Sequence, residues 1–209
     1  MQVSLLGLTF YEFDVGMTDV ILFLFCFFFL YQLLKYKAEN EALLIFLGLT
    51  ASSLFGALFH FFFPLKATTS SGFFMWSLVA LSIGLIIFGA LSYSVRAFSK
   101  NNKLYWSIPL IYVGVFITYF FFVSHTYPGI ILFYGPSILL LGILAGVKLF
   151  RTEYVYGYLL GGVVLSFLAA YVQVSHINIH PEYFNFNSLY HSIQLVGIYC
   201  MYLFFMKIK

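Results

Sequence analysis

Seven uninterrupted apolar stretches decide what this chain can fold into, each near the roughly 20 residues a helix needs to cross a bilayer core. They run from about Met17 to Tyr36, Ala42 to Phe63, Phe73 to Val95, Leu104 to Ser124, Gly129 to Phe150, Tyr154 to Val174 and Asn187 to Met206. Inside hydrocarbon every backbone N–H and C=O must find its partner within the protein, so only helices or a closed barrel can span. The runs are continuous rather than alternating, which selects helices. Charged residues make up 8% of the chain and hydrophobic ones 63%, against about 25% charge in soluble domains. The mean hydropathy of +1.00 agrees. Residues 1–209 are therefore expected to form one all-α domain, an integral membrane bundle of seven transmembrane helices. Short connections make helices adjacent in sequence neighbours in space.

Cys26 and Cys200 both lie in apolar runs and read as buried thiols, not a disulfide framework. The N-terminal stretch has no basic region and no small-residue cleavage site, so no cleaved signal peptide is expected.

The net charge of +3 carries topology rather than a partner. Nine of the ten Lys and Arg fall on one side of the seven-span frame: Lys35, Lys37, Arg96, Lys100, Lys103, Lys148, Arg151, Lys207 and Lys209. Only Lys66 falls on the other. The positive-inside rule then predicts an outside N-terminus and a cytoplasmic C-terminus.

On that frame all five histidines, His60, His125, His176, His180 and His191, gather at the outer side. His60 stands near the outer end of the second helix and His191 one turn into the seventh, both roughly 5 Å below the rim at 1.5 Å per residue. An ionisable side chain within a span is costly and marks a functional candidate, and histidine serves as a metal ligand or a proton carrier once its neighbours orient it. The alternative is a pair of polar residues hydrogen-bonded across helices. His176 and His180 have the i, i+4 spacing that puts two imidazoles on one helix face. That spacing counts only if the sixth helix runs past Ser175, and Pro181 argues for a loop. Asp19, beside Thr18 at the start of the first helix, reads either as a cap against the helix dipole or as a ligand or base. Ser53 shares the face of His60 two turns deeper. It either bonds back to its own helix or lines a cavity beneath the histidine.

The seven-span frame, the histidine on the second helix and the stretch Asn187-Ser-Leu-Tyr-His191 before Gly197-Ile-Tyr199 resemble the alkaline ceramidase superfamily, which also includes the progestin and adipoQ receptors. A closer likeness is to small bacterial seven-helix proteins with Thr-Asp opening the first helix, a histidine ending the second, and an Asn-x-Asn-x-x-x-His-x-x-Gln run on the seventh. Thr18, Asp19, His60, Asn185, Asn187, His191 and Gln194 fill those places. The resemblance implies a zinc centre that hydrolyses a lipid amide, with His60 and His191 as two ligands. Asn187 stands where the superfamily has another histidine, Gly56 where it has a serine, and the third helix has no aspartate, Ser77 being the nearest polar substitute. Completing the ligand set therefore falls to Asp19, His180 or His176.

The expectation is a membrane-embedded, zinc-dependent hydrolase of a lipid amide or ester in a bacterial inner membrane. Its site lies near the outer face: His60, His191 and Asp19 as metal ligands, with His180 and His176 in reserve, and Asp19, Ser53 and Asn187 in the chemistry. The alternative is a non-catalytic lipid-binding or sensory protein of the same fold. Its partners are the bilayer and a lipid, with no nucleic acid. A retinal photoreceptor is excluded because no helix centre carries a lysine, and a proton pump because no chain of carboxylates crosses the bundle.

Overall fold

A computed structural model of the protein describes residues 2–5, 7–98 and 102–208. Lys100 and Lys209, two of the basic residues counted for topology, lie outside the described residues. The chain is an all-α bundle of seven membrane-spanning helices: α1 Phe13–Lys35, α2 Asn40–Phe62, α3 Ser70–Phe98, α4 Asn102–Phe122, α5 Tyr127–Phe150, α6 Tyr156–Val174 and α7 Phe186–Lys207. It is a multi-pass membrane protein. Most helix limits fall within about three residues of the hydropathy limits. The largest departure is at α1, which begins four residues before Met17.

Before α1 stands a small antiparallel hairpin that hydropathy does not announce, β1 Val3–Leu5 and β2 Leu8–Phe10, turned at Gly7 with φ 79°. It is tied to the end of α2 by the Tyr11 N–H donating to the Phe61 carbonyl. Phe10 packs among Phe13, Phe61 and Phe62.

Six helices close a ring in the order α1, α2, α3, α5, α6, α7 and back to α1, while α4 packs on the outside of α3. Every helix still touches its neighbours in sequence, α4 and α5 along a narrow seam where Phe133 packs on Tyr112, Phe116 and Tyr119. α5 passes over α4 to reach α3, which suits α4, whose flanks are apolar on nearly all sides and mostly face lipid. One end of the ring is filled by side chains from all six helices, among them Cys26, Phe46, Tyr93, Leu144, Leu159 and Phe204. At that end Arg96 pairs with Glu39 and with the buried Glu41. The opposite end, which carries the N-terminal hairpin, is hollow.

Close approach of α6 and α7 rests on Gly162 and Gly197. A Cβ on Gly162 would stand 2.8 Å from the Gly197 carbonyl oxygen, and one on Gly197 would stand 3.1 Å from the Gly162 carbonyl oxygen. The Gly157-x-x-x-Gly161 spacing is not the contact: a Cβ at Gly161 meets nothing within 4 Å.

Candidate functional site

The hollow end encloses a cavity of about 400 Å³, within the range of sites that hold small organic ligands. Its walls come from one face of each ring helix. α2 presents Leu49, Ser53, Gly56 and His60, at spacings of three and four, and α7 presents Asn187, Tyr190, His191 and Gln194. α1 contributes Asp19 and α6 contributes Gln173. Among the described residues no α4 side chain lines it.

Asp19 lies between the two histidines. Its Oδ1 is 3.4 Å from His191 Nε2 and its Oδ2 is 3.9 Å from His60 Nε2. The carboxylate is 5% exposed and His191 8%. The cap reading of Asp19 fails, because α1 starts at Phe13 after Glu12 and sets Asp19 nearly two turns inside the helix. Gly56 makes room for it. A Cβ there would come within 2.9 Å of Asp19 Oδ2, which accounts for glycine at this position.

Each imidazole is held from behind. His60 Nδ1 is 2.5 Å from Glu12 Oε2. A carboxylate only accepts, so Nδ1 carries the proton and Nε2 presents a lone pair. His191 Nδ1 is 2.9 Å from Thr18 Oγ1, whose own proton goes 2.8 Å to the Val15 carbonyl. Thr18 must therefore accept, and His191 also turns an Nε2 lone pair toward Asp19. Two imidazole nitrogens and a carboxyl group thus face one another, an arrangement that needs a proton or a metal cation among them. Burial raises the Glu12 carboxyl, but hydrogen bonds from His60 and Lys66 outweigh it and hold it down at about 2.

Tetrahedral ligands at roughly 2.0–2.2 Å from a zinc ion lie about 3.3–3.6 Å apart. The 3.4 Å edge matches and the 3.9 Å edge is a few tenths too long. As they stand, no three or more His, Cys, Asp and Glu side chains among the described residues are drawn close enough to hold a metal ion. In kind the donor set fits: two neutral imidazoles and one carboxylate suit zinc. Hydrogen bonds to the outer nitrogens are what metal-binding histidines need for orientation.

The loop histidines are not brought in. α6 ends at Val174, and His176 takes a left-handed φ of 53°, which turns the chain away. His180 bridges to Phe184 and its Nδ1 accepts from the Glu182 and Tyr183 N–H groups. Both are exposed and neither lines the cavity. Their i, i+4 spacing never becomes a helix face, so both leave the ligand set. His125 is an exposed turn residue whose carbonyl accepts from Trp76. Ser53 lines the cavity while its hydroxyl donates back to Leu49. Ser77 is buried and bonded to Phe73, outside the cavity wall. Asn187, one turn before His191, accepts from Gln173 at 3.0 Å.

Glu12 and Gln173 went unmarked in the sequence, and Lys66 was read only for topology. Glu12 reaches His60 across 48 residues of chain, and no spacing rule links them. Asp14 stands in the first turn of α1. It is buried, and accepts from Asn185 Nδ2 and Ser188 Oγ, joining α1 to α7.

Residues 15–208 match a family of unknown function, DUF6962. No curated protein and no solved structure matches the chain.

Proposed function

The chain belongs to the DUF6962 family, which brings no activity with it, and we propose from its site that it is a membrane-embedded zinc-dependent hydrolase of a lipid amide or ester. One observation carries the reading: the Nε2 lone pairs of His60 and His191 converge on the Asp19 carboxylate, each ring held from behind by a fixed acceptor. Buried acceptors facing one another need a proton or a cation among them, and a divalent cation is the one occupant that satisfies all three at once. The resemblance to alkaline ceramidases supports the same chemistry.

His60, His191 and Asp19 would hold the ion, which when bound supplies Lewis acidity for a carbonyl and for water. Glu12 and Thr18 fix the two tautomers. Asn187, with its oxygen occupied by Gln173, has its amide N–H groups left to donate beside His191. Tyr127 and Tyr190 line the cavity with their hydroxyls hydrogen-bonded to each other, which leaves one O–H to donate to a carbonyl oxygen. Below them Leu49, Val79, Ile83 and Ile86 make an apolar floor for an acyl chain.

Protein purified in detergent is expected to carry about one zinc ion per chain by elemental analysis. It should cleave a fluorogenic fatty amide or its ester, with cleavage lost to a chelator and restored by zinc. Absence of metal and of turnover sinks the hydrolase. Binding of fatty amides without either identifies the non-catalytic lipid-binding or sensory protein.

The membrane is a bacterial inner membrane in this reading, with the site at its outer face. A cysteine placed at Thr68, in the exposed segment after α2, should react with an impermeant maleimide on intact cells. Reaction only after lysis reverses the orientation.

A further inference from the structure

A second cavity lies outside His60, beneath the N-terminal hairpin. It holds about 280 Å³ and is lined by Gln2, Tyr11, Glu12, His60, Pro64 and Lys66. His60 and Lys66 also line the inner chamber, so the two spaces meet at this pair. The inner chamber is long and narrow. Along α2 its wall runs from His60 to Leu49, roughly 16 Å at 1.5 Å per residue. Along α3 it runs from Trp76 to Ile86, about 15 Å on the same rise. A chamber of about 400 Å³ drawn out over that depth is long for its width, a shape that suits an extended alkyl chain.

The outer space has a different chemistry. The Lys66 ammonium and the Glu12 carboxylate meet in it, with side chains 37% and 39% exposed. An ammonium has three protons and Glu12 takes one of them. Glu12 meets both His60 and Lys66 through Oε2, and Oε1 takes part in neither contact. The vestibule thus offers spare donors and a spare anionic acceptor side by side, with opposite charges that cancel. A purely anionic head gains from Lys66 and is repelled by Glu12, and a purely cationic head meets the reverse. A head carrying both charges gains from each.

We propose that this vestibule is the polar-head subsite of the lipid site, and that it takes a small zwitterionic head on a single acyl chain. The anionic group sits at Lys66, the ammonium at Glu12 and the chain in the inner chamber, which puts the junction of head and chain at His60. The assignment rests on the lipid reading above and not on the metal, so it is tested by binding rather than turnover.

The probes are three dodecanoyl amides: Nε-dodecanoyl-lysine, the same amide on a plain hexanoate, and the same amide on a plain aminopentyl chain. Each is titrated at equilibrium onto the full-length protein in phosphatidylcholine nanodiscs, zinc-loaded and chelator-treated, with protein-free discs as the reference. Partly exposed ion pairs contribute modestly, so the zwitterion should bind about fivefold tighter than either singly charged amide. Lys66→Met should cancel its advantage over the aminopentyl amide, and Lys66→Arg should keep it. The wild-type series decides alone if Lys66→Met does not fold.

Equal affinity for all three overturns the subsite. So does tightest binding of the aminopentyl amide, which would mean that the field of Asp14 and Asp19 outweighs Lys66. Zwitterion preference without zinc or cleavage leaves the subsite standing and removes the hydrolase. Cleavage without preference does the opposite.

Discussion

Replacing Asp19 with alanine is expected to empty the metal site, lowering retained zinc to less than roughly a tenth of an ion per chain while the protein stays folded. Two histidines do not make a zinc centre, which takes three protein ligands and an open position. Asp19 is the one carboxylate within 4 Å of both His60 and His191 Nε2 among the described residues. The fold should tolerate the change. Removing a buried carboxylate that faces two lone pairs leaves no donor unpaired, and Gly56 already packs against its oxygens. His191→Ala should give the same loss. Asn187→Ala should reduce retention only several-fold, since it removes a neighbour of the ligands, whose loss typically costs 10–100-fold at most. Elemental analysis after gel filtration reads all three. Full zinc content in the Asp19 variant would end the site, because the loop histidines that might replace it lie outside the cavity wall.

Two adjacent glycines on α6 should answer very differently to one added methyl. A Cβ at Gly162 would stand 2.6 Å from Met201 Cγ and 2.8 Å from the Gly197 carbonyl oxygen. The side chain can swing away, but the backbone oxygen cannot, so α6 and α7 must separate. Overpacking of this kind costs about 1–3 kcal/mol. Gly162→Ala should lower the thermal midpoint in detergent by several degrees, and Gly162→Leu should leave little folded protein. Gly161→Ala meets open space and should be neutral or slightly stabilising, by up to about 1 kcal/mol, because alanine loses less backbone entropy in a helix. Equal midpoints for the two alanine variants would show that the α6–α7 contact is not where the coordinates put it.

The seven helices were legible because hydrocarbon leaves the backbone so few choices. The placement of His60 and His191 followed from counting rise per residue, and Asp19 between them followed from side and proximity along the chain. What failed, failed for local reasons that only tertiary partners reveal. Hydropathy starts α1 at Met17 because Glu12 and Asp14 depress the average. Asp14 is nevertheless inside the helix, its burial offset by Asn185 and Ser188 from the far end of the chain. The same error made Asp19 look like a cap. His176 and His180 had a helical spacing without a helix, since α6 stops two residues before the first of them. The hairpin, and with it the Glu12 support of His60, was hidden because strands of three residues carry no periodicity to read.

The seam between α1 and α7 sets a condition on biosynthesis. Thr18 and His191, which meet at 2.9 Å, are separated by 173 positions, so the first and last of the seven helices share the site. Contacts this far apart in sequence form late, after the loop entropy of the whole chain has been overcome. During translation Asp19 and Thr18 must wait in the membrane, or in the insertion machinery, without the imidazole they will face. A chain cut short before α7 keeps at most six spans, and it has lost one wall of the chamber together with Asn187, Tyr190, His191 and Gln194. Synthesis through α7 is thereby its own checkpoint: a chain without that helix has no closed chamber.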